Sequence, residues 1–210
     1  MQFDFATLTA NQRYKLLSST VVPRPIAWVV TINAEGLVNA APFSFFNIFG
    51  SNPPVVVLGL ARKAGGVDKD TGGNIRRSGQ FVVNLVSEEL IDAMSISAID
   101  FGPTVSEPEE AGLALLPSLK VAPPRIAQSP VTLECEVMHY LDTSDTSSLV
   151  VGRVLAMHIA DHLVLDPEQC HIDTRRLNLI GRMENPAGYV RTNDQFIWPR
   201  VTREEWERKG

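Results

Sequence analysis

Six consecutive residues, Lys69-Asp70-Thr71-Gly72-Gly73-Asn74, carry the chemistry of an anion site: an ammonium, a hydroxyl, an amide and backbone N–H groups near a helix start. Unpaired N–H groups and the helix dipole both favour a phosphate there. On spacing alone an exposed, capped loop remains the better description. A second stretch, Pro42-Phe43-Ser44-Phe45-Phe46-Asn47, interleaves three aromatics with small and polar residues behind a proline. Proline cannot donate to a sheet ladder, so this is not an ordinary core strand. A flat aromatic ligand gripped by backbone groups would suit it. Phenylalanines at 43, 45, 46 and 49 are most often core packing. What sets these apart is their company, since Asn39 and Asn47 bracket them and the phosphate-competent loop follows one strand later.

Other chemistries find less support. The Rossmann fingerprint G-x-G-x-x-G and the phosphate loop ending in Gly-Lys-Ser/Thr are both missing, which removes two common ways of binding nucleotides. His158 and His162 are four apart, but the first falls in a strand pattern and the second in a loop, so they do not form a helical zinc pair. His158 reads better as a satisfied histidine or one at a cofactor edge. Ser44 lacks the G-x-S-x-G surroundings of a hydrolase elbow. Cys135 sits between Glu134 and Glu136, whose charges disfavour a thiolate.

The elements that must position these residues are predominantly strands. A short helix is expected over Asn11–Leu17, a strand over Ile26–Thr31, a turn at Ala34-Glu35-Gly36 and a second strand over Leu37–Ala41. The nearly continuous apolar run Val55–Leu60 suits a strand buried on both faces. Gly79 would end a short helix capped at Asp70 or Thr71. Further strands are expected over Gln80–Val86, Val131–Leu141 and Leu149–Ile159, and a helix over Glu88–Ile99. Between them, Asp100–Gln128 is a long, proline-interrupted excursion, acidic at Glu107-Pro108-Glu109-Glu110, which suggests a lid, a flap or a dimer contact. Strands joined mainly by turns favour an antiparallel sheet closing into a barrel.

Composition sets the class. The 210 residues are 44% hydrophobic and 20% charged, enough for a sizeable core in one domain spanning 1–210. A net charge of −5 argues against nucleic acid or an anionic membrane as main partner. No apolar run approaches the roughly 20 residues a bilayer span needs, and no secretion signal is visible, so a cytoplasmic protein is expected. Cys135 and Cys170 are expected as buried thiols.

The ordered series Pro23-Arg24-Pro25-Ile26-Ala27-Trp28-Val29, Asn39-Ala40-Ala41-Pro42-Phe43-Ser44-Phe45-Phe46-Asn47, Pro53-Pro54, Lys69-Asp70-Thr71 with Asn74-Ile75, and Phe81-Val82-Val83-Asn84 resembles the flavin reductase-like, FMN-binding split-barrel family. Pro124-Arg125-Ile126-Ala127, Ser129-Pro130-Val131, Gly152-Arg153-Val154 and Gly181-Arg182-Met183 continue the resemblance, which runs from about Pro23 to Arg191. It implies a mainly β protein, a six-stranded antiparallel split barrel with a few helices, with its core over about 20–191 and a C-terminal extension over 192–210. It further implies a homodimer holding FMN without a covalent bond. The isoalloxazine would lie along Asn39–Asn47, with backbone groups of Ala41, Pro42, Phe43, Phe45 and Phe46 at its polar edge and Ser44 as a side-chain partner. Lys69, Asp70, Thr71 and Asn74 would form the phosphate end, with Arg24 or Arg76 assisting. Trp28 would pack near the ring, and His158, Arg182 and Tyr189 would reach the ring or substrate pocket from the neighbouring subunit. The implied activity is NAD(P)H:flavin reduction, with the nicotinamide dinucleotide a transient co-substrate and a monooxygenase or another electron-accepting protein as partner. The alternatives are an FMN-bound electron carrier without nicotinamide turnover, and an FMN oxidase of another small molecule. No catalytic acid or base is assigned, because hydride transfer itself needs none.

Overall fold

In the run Ala27-Trp28-Val29-Val30, side chains alternate between two cores, which is why the stretch shows no polar face. Ala27 and Val29 join Val56, Leu58, Phe81, Val83 and Leu133 in one core, while Trp28 and Val30 join Ala40, Val82, Met94 and Ile126 in the other. The sheet they belong to is thus covered on both sides, the situation that produces continuous apolar strands. The structure, a computed structural model, describes residues 1–102 and 104–208.

The main sheet is antiparallel and contains β1 (Ala27–Ile32), β2 (Val38–Phe43), β3 (Phe46–Ser51), β4 (Pro54–Lys63), β5 (Val67–Asp68), β6 (Gln80–Asn84), β7 (Val131–Ser144) and β8 (Ser147–Ile159). Its path is β2-β1-β6-β7-β8-β4-β3, with β5 added beside β4. Eight strands therefore stand where six are expected. The reason is local: β2 and β3 are one stretch of chain bent at Ser44-Phe45, and β5 is too short to show an alternating pattern. A smaller sheet joins Arg24–Pro25 to β9 (Ile180–Arg182) and β10 (Tyr189–Arg191). The fold is mainly β, with few helices.

Pro42 is accommodated because β2 ends the sheet path and its outer side carries no ladder. The helices are α1 (Ala10–Thr20), α2 (Asp70–Ser78), α3 (Ile91–Ser97), α4 (Glu107–Glu110) and α5 (Arg203–Glu207). Thr9 and Gln12 close a capping box at α1, and Gly79 ends α2 in the left-handed conformation at φ 69°. The start of α2 differs from expectation: the residue flanking it is Lys69, which makes no side-chain cap. The expected helix over Glu88–Ile99 is divided into a tight turn at Glu88–Leu90 and α3.

Residues beyond Asp100 form α4 and a two-stranded pair, Leu115–Leu116 with Arg125–Ile126. Glu134 anchors this excursion to β7. Its buried carboxylate accepts from the N–H groups of Leu119 (2.8 Å) and Lys120 (2.6 Å) and contacts His158 Nε2 at 2.6 Å. Of the cysteines, Cys135 is buried as expected, whereas Cys170 is exposed in the turn before His171–Ile172. Among the described residues no helix is long and apolar enough to cross a membrane. Lys209 and Gly210, the end of the expected C-terminal extension, lie outside the described residues.

Candidate functional site: a compartmented trough along β2

Three adjoining cavities follow β2. One of about 170 Å³ is lined by Pro42, Phe43 and Ser44 together with Ile26, Met94, Arg182 and Tyr189. The next, also about 170 Å³, shares Pro42 and Phe43 and adds Asn39, Ala41, Lys63, Lys69, Asp70, Thr71 and Glu107, with Ser97–Phe101 opposite. The third, about 320 Å³, shares Asn39, Asp70 and Glu107 and is completed by Asn33, Glu35, Gly73, Asn74 and Arg77. Shared lining residues make these one trough, with Pro42, Phe43, Ile26 and Met94 beside Ser44, Arg182 and Tyr189 at one end and Asn39, Asp70, Asn74, Arg77 and Glu107 at the other. The long-range contact between β2 and the 69–74 segment, expected from the family resemblance, is therefore present.

The polar end is organised by hydrogen bonds around one amide. Asn39 Oδ1 accepts from Thr71 Oγ1 at 2.8 Å and from Thr31 Oγ1 at 3.3 Å. Asn74 Nδ2 donates to Thr31 Oγ1 at 3.1 Å. Asn39 Nδ2 donates to Glu107 Oε1 at 2.8 Å, and the backbone N–H of Ala40 donates to Glu107 Oε2 at 3.3 Å. Two donors on its oxygen and one acceptor at its nitrogen fix the orientation of the Asn39 amide. Glu107 is 7% exposed. Burial, and the nearby charge of Asp70, push its carboxyl above the ordinary glutamate range, against the hydrogen bonds from Ala40 and Asn39. Among the described residues no cation is paired with it. The sequence places Glu107 only in an acidic excursion that suggests a lid, a flap or a dimer contact, because the contact that defines it spans 68 residues.

The structure separates the expected residues into groups. Asn39, Ala41, Pro42, Phe43, Ser44, Lys69, Asp70, Thr71, Asn74 and Arg182 line the trough. Tyr189 joins them within the same chain, with the Arg182 guanidinium 4.7 Å from its ring centroid. Trp28 is a correction: it is fully buried, its indole N–H donates to Ser97 Oγ at 2.8 Å, and no surface is left for a ligand. It stands behind the trough wall rather than in it. Phe46 faces the core, and Asn47 is exposed, capping the N–H of Ile48. Phe45 is half exposed, packed beside Tyr14.

Arg24 is buried, and its guanidinium is taken up by the carbonyls of Ser18, Val21 and Met183, with Ser44 Oγ at 3.5 Å from Nε. Arg76 is held by Asp68 and Asp142 over the ring of Tyr140. Neither guanidinium lines the trough. His158 is bound to Glu134 on the sheet, outside all three cavities. The cations of the middle cavity are Lys69 and Lys63, the latter at the end of β4 and not singled out from the sequence, while Arg77 lines the outer cavity and donates to the Ile32 carbonyl at 2.6 Å. Among the described residues no group of three or more His, Cys, Asp or Glu is placed to hold a metal.

This donor set suits a ligand with an apolar planar part and an anionic end: an apolar wall at Pro42 and Phe43, ammonium groups at Lys63 and Lys69, and hydroxyl and amide groups between. The family described as "Flavin reductase like domain" matches residues 18–176. The chain belongs to that family. The structure of the 2-nitrobenzoate 2-nitroreductase NbaA of Pseudomonas fluorescens is 36% identical with a TM-score of 0.88, covering 97% of this chain and 98% of that one. Nitrilotriacetate monooxygenase component B of Bacillus cereus is 32% identical with a TM-score of 0.87, covering 94% and 98%. An uncharacterized protein of Deinococcus radiodurans is 40% identical over 209 residues, covering 98% of this chain and 92% of its own.

Proposed function

We propose that this chain is a flavin-dependent oxidoreductase that holds FMN non-covalently in the trough and takes hydride from NADH or NADPH. The observation that carries the reading is the abutment of the Lys63–Lys69–Thr71 polar cavity on the Pro42–Phe43 wall, within a chain of the flavin reductase-like family. In this reading Lys63 and Lys69 neutralise the phosphate, and Thr71 Oγ1 turns its proton from Asn39 toward it. Phe43 and Pro42 keep water from one side of the ring, and Ser44 meets its polar edge. When bound, FMN supplies the hydride-accepting chemistry, and the protein contributes binding, orientation and electrostatics.

The likeness to a monooxygenase component B supports delivery of electrons to a partner oxygenase. One domain, a cytoplasmic location and a homodimer complete the proposal. The test is to saturate the purified protein with FMN and follow the nicotinamide absorbance band. Oxidation of NADH or NADPH that depends on both protein and FMN is expected, and no oxidation of either would remove the reading.

A second reading has its own support. The cavity beside Phe43 places the Arg182 guanidinium and the Tyr189 phenol at an apolar wall, which suits an anionic aromatic, and the chain is 36% identical to a nitrobenzoate reductase. Reduction of a nitroaromatic carboxylate by the nicotinamide-supplied protein would establish it.

A further inference from the structure

The polar end of the trough is not uniformly suited to a phosphate. Lys63 and Lys69 line the middle cavity, whereas Asp70 and Glu107 stand on the boundary with the outer one, whose cation, Arg77, donates to the Ile32 carbonyl at 2.6 Å. Glu107 is the more constrained of the two carboxylates. A carboxylate offers about four acceptor positions. Asn39 Nδ2 and the Ala40 N–H engage one position on each of its oxygens, and the side chain lines both cavities. It cannot be turned away cheaply, because Thr31 holds the Asn39 amide from the other side even when Thr71 turns to the phosphate. A buried, fixed carboxylate beside Asp70 repels an anion and accepts from neutral O–H or N–H donors.

We infer that Glu107, with Asp70, is a binding residue for the neutral, donor-bearing part of the ligand, and that it sets which way the ligand lies. On the FMN reading, on which this rests, that part is the polyhydroxylated ribityl chain. Its hydroxyls donate to the remaining acceptor positions of Glu107, and the phosphate is directed to Lys63 and Lys69. The two carboxylates therefore act against a reversed ligand as well as for the correct one.

The test compares FMN with riboflavin, which lacks the phosphate, by fluorescence titration of the full chain and of two variants. If the unaltered protein binds neither flavin, the functional reading fails and takes this inference with it. If it binds FMN, Glu107→Gln is expected to weaken FMN and riboflavin alike, by about tenfold, leaving their ratio of dissociation constants unchanged. Lys69→Ala is expected to weaken FMN and spare riboflavin. A Glu107→Gln variant that tightens FMN relative to riboflavin would place the phosphate beside the carboxylate and overturn the inference. Unchanged binding of both flavins would overturn it equally. Should Glu107→Gln not fold, Asp70→Asn decides by the same criterion: parallel weakening of the two flavins supports the inference, and selective tightening of FMN contradicts it.

Discussion

Thr71 Oγ1 donates its hydrogen bond to Asn39 Oδ1 at 2.8 Å, joining the first turn of α2 to strand β2. Each residue separately is a common loop or strand residue. Together they bring the 69–74 segment against Pro42 and Phe43 and make a site of two sequence stretches that neither contains alone.

That hydroxyl is 3% exposed as part of Thr71 and is already engaged, so a phosphate must draw the proton away from Asn39. Charge-assisted hydrogen bonds are each worth roughly 1.5–3 kcal/mol. Thr71→Ala and Lys69→Ala are each expected to reduce FMN retention to that extent, and Thr71→Ser to restore most of it. Flavin content after gel filtration checks this, and full retention in both Ala variants would place the phosphate elsewhere.

Glu107 gives a pH signature in the protein without ligand. Its carboxyl is raised in the fold by burial, so at pH values above the ordinary 4.5 the folded state holds the proton more tightly than the unfolded chain. Stability contributed by this group is present below that value and lost as pH rises through the raised one. The stability of the unaltered protein relative to Glu107→Gln is expected to fall with rising pH across that window. Urea unfolding at several pH values measures it, and a constant difference would contradict the assignment.

Glu134 should behave oppositely. Burial works to raise its carboxyl, but the N–H groups of Leu119 and Lys120 and the His158 ring hold it below the ordinary range. Its contribution is present above 4.5 and disappears as pH falls through the lowered value. Glu134→Gln strands at least one part-buried donor of the 117–123 loop, so a loss of about 1 kcal/mol is expected at neutral pH. Chemical denaturation checks the magnitude, and the loss should shrink in acid. Cys135, one residue along and raised by burial and by the charge of Glu134, should be inert to thiol reagents in the folded state.

Two glycines should respond differently to alanine. A Cβ at Gly152 would meet the Phe81 ring at 2.5 Å, so Gly152→Ala should destabilise by about 1–3 kcal/mol through overpacking. Gly73 lies inside α2 with open space around a Cβ, and Gly73→Ala should stabilise by roughly 0.8–1 kcal/mol from helix propensity. Thermal melts of the two variants test the contrast.

The strands were legible where burial imposes a pattern. The apolar run Val55–Leu60 lies within β4, though only Val56, Leu58 and Leu60 are buried and the other face is half-buried rather than buried as expected, and the alternation over Val131–Leu141 lies within β7. The turn at Gly36 and the end of α2 at Gly79 followed from glycines at positive φ. The pair Val164–Asp166 with His171–Ile172 was not legible, because both strands are too short to alternate visibly. At the site, the pairing of the 39–47 and 69–74 stretches was legible through the family resemblance, since on its own chemistry the 69–74 segment read as an exposed, capped loop. The fates of Trp28, Arg24 and His158 were not, since each is decided by a partner distant in sequence: Ser97, Met183 and Glu134. Glu107 was hidden for the same reason, and Lys63 because it follows Arg62 at the charged end of a strand whose apolar run stops at Ala61.

The most direct test of the central claim is anaerobic mixing of the FMN-saturated protein with excess NADH or NADPH while the flavin absorbance band is followed. The account predicts that the oxidised flavin band bleaches, and that Lys69→Ala, when saturated with FMN, still bleaches, because the lysine holds the phosphate and not the hydride path. An FMN-saturated protein whose flavin band persists unchanged with both nicotinamides would contradict it.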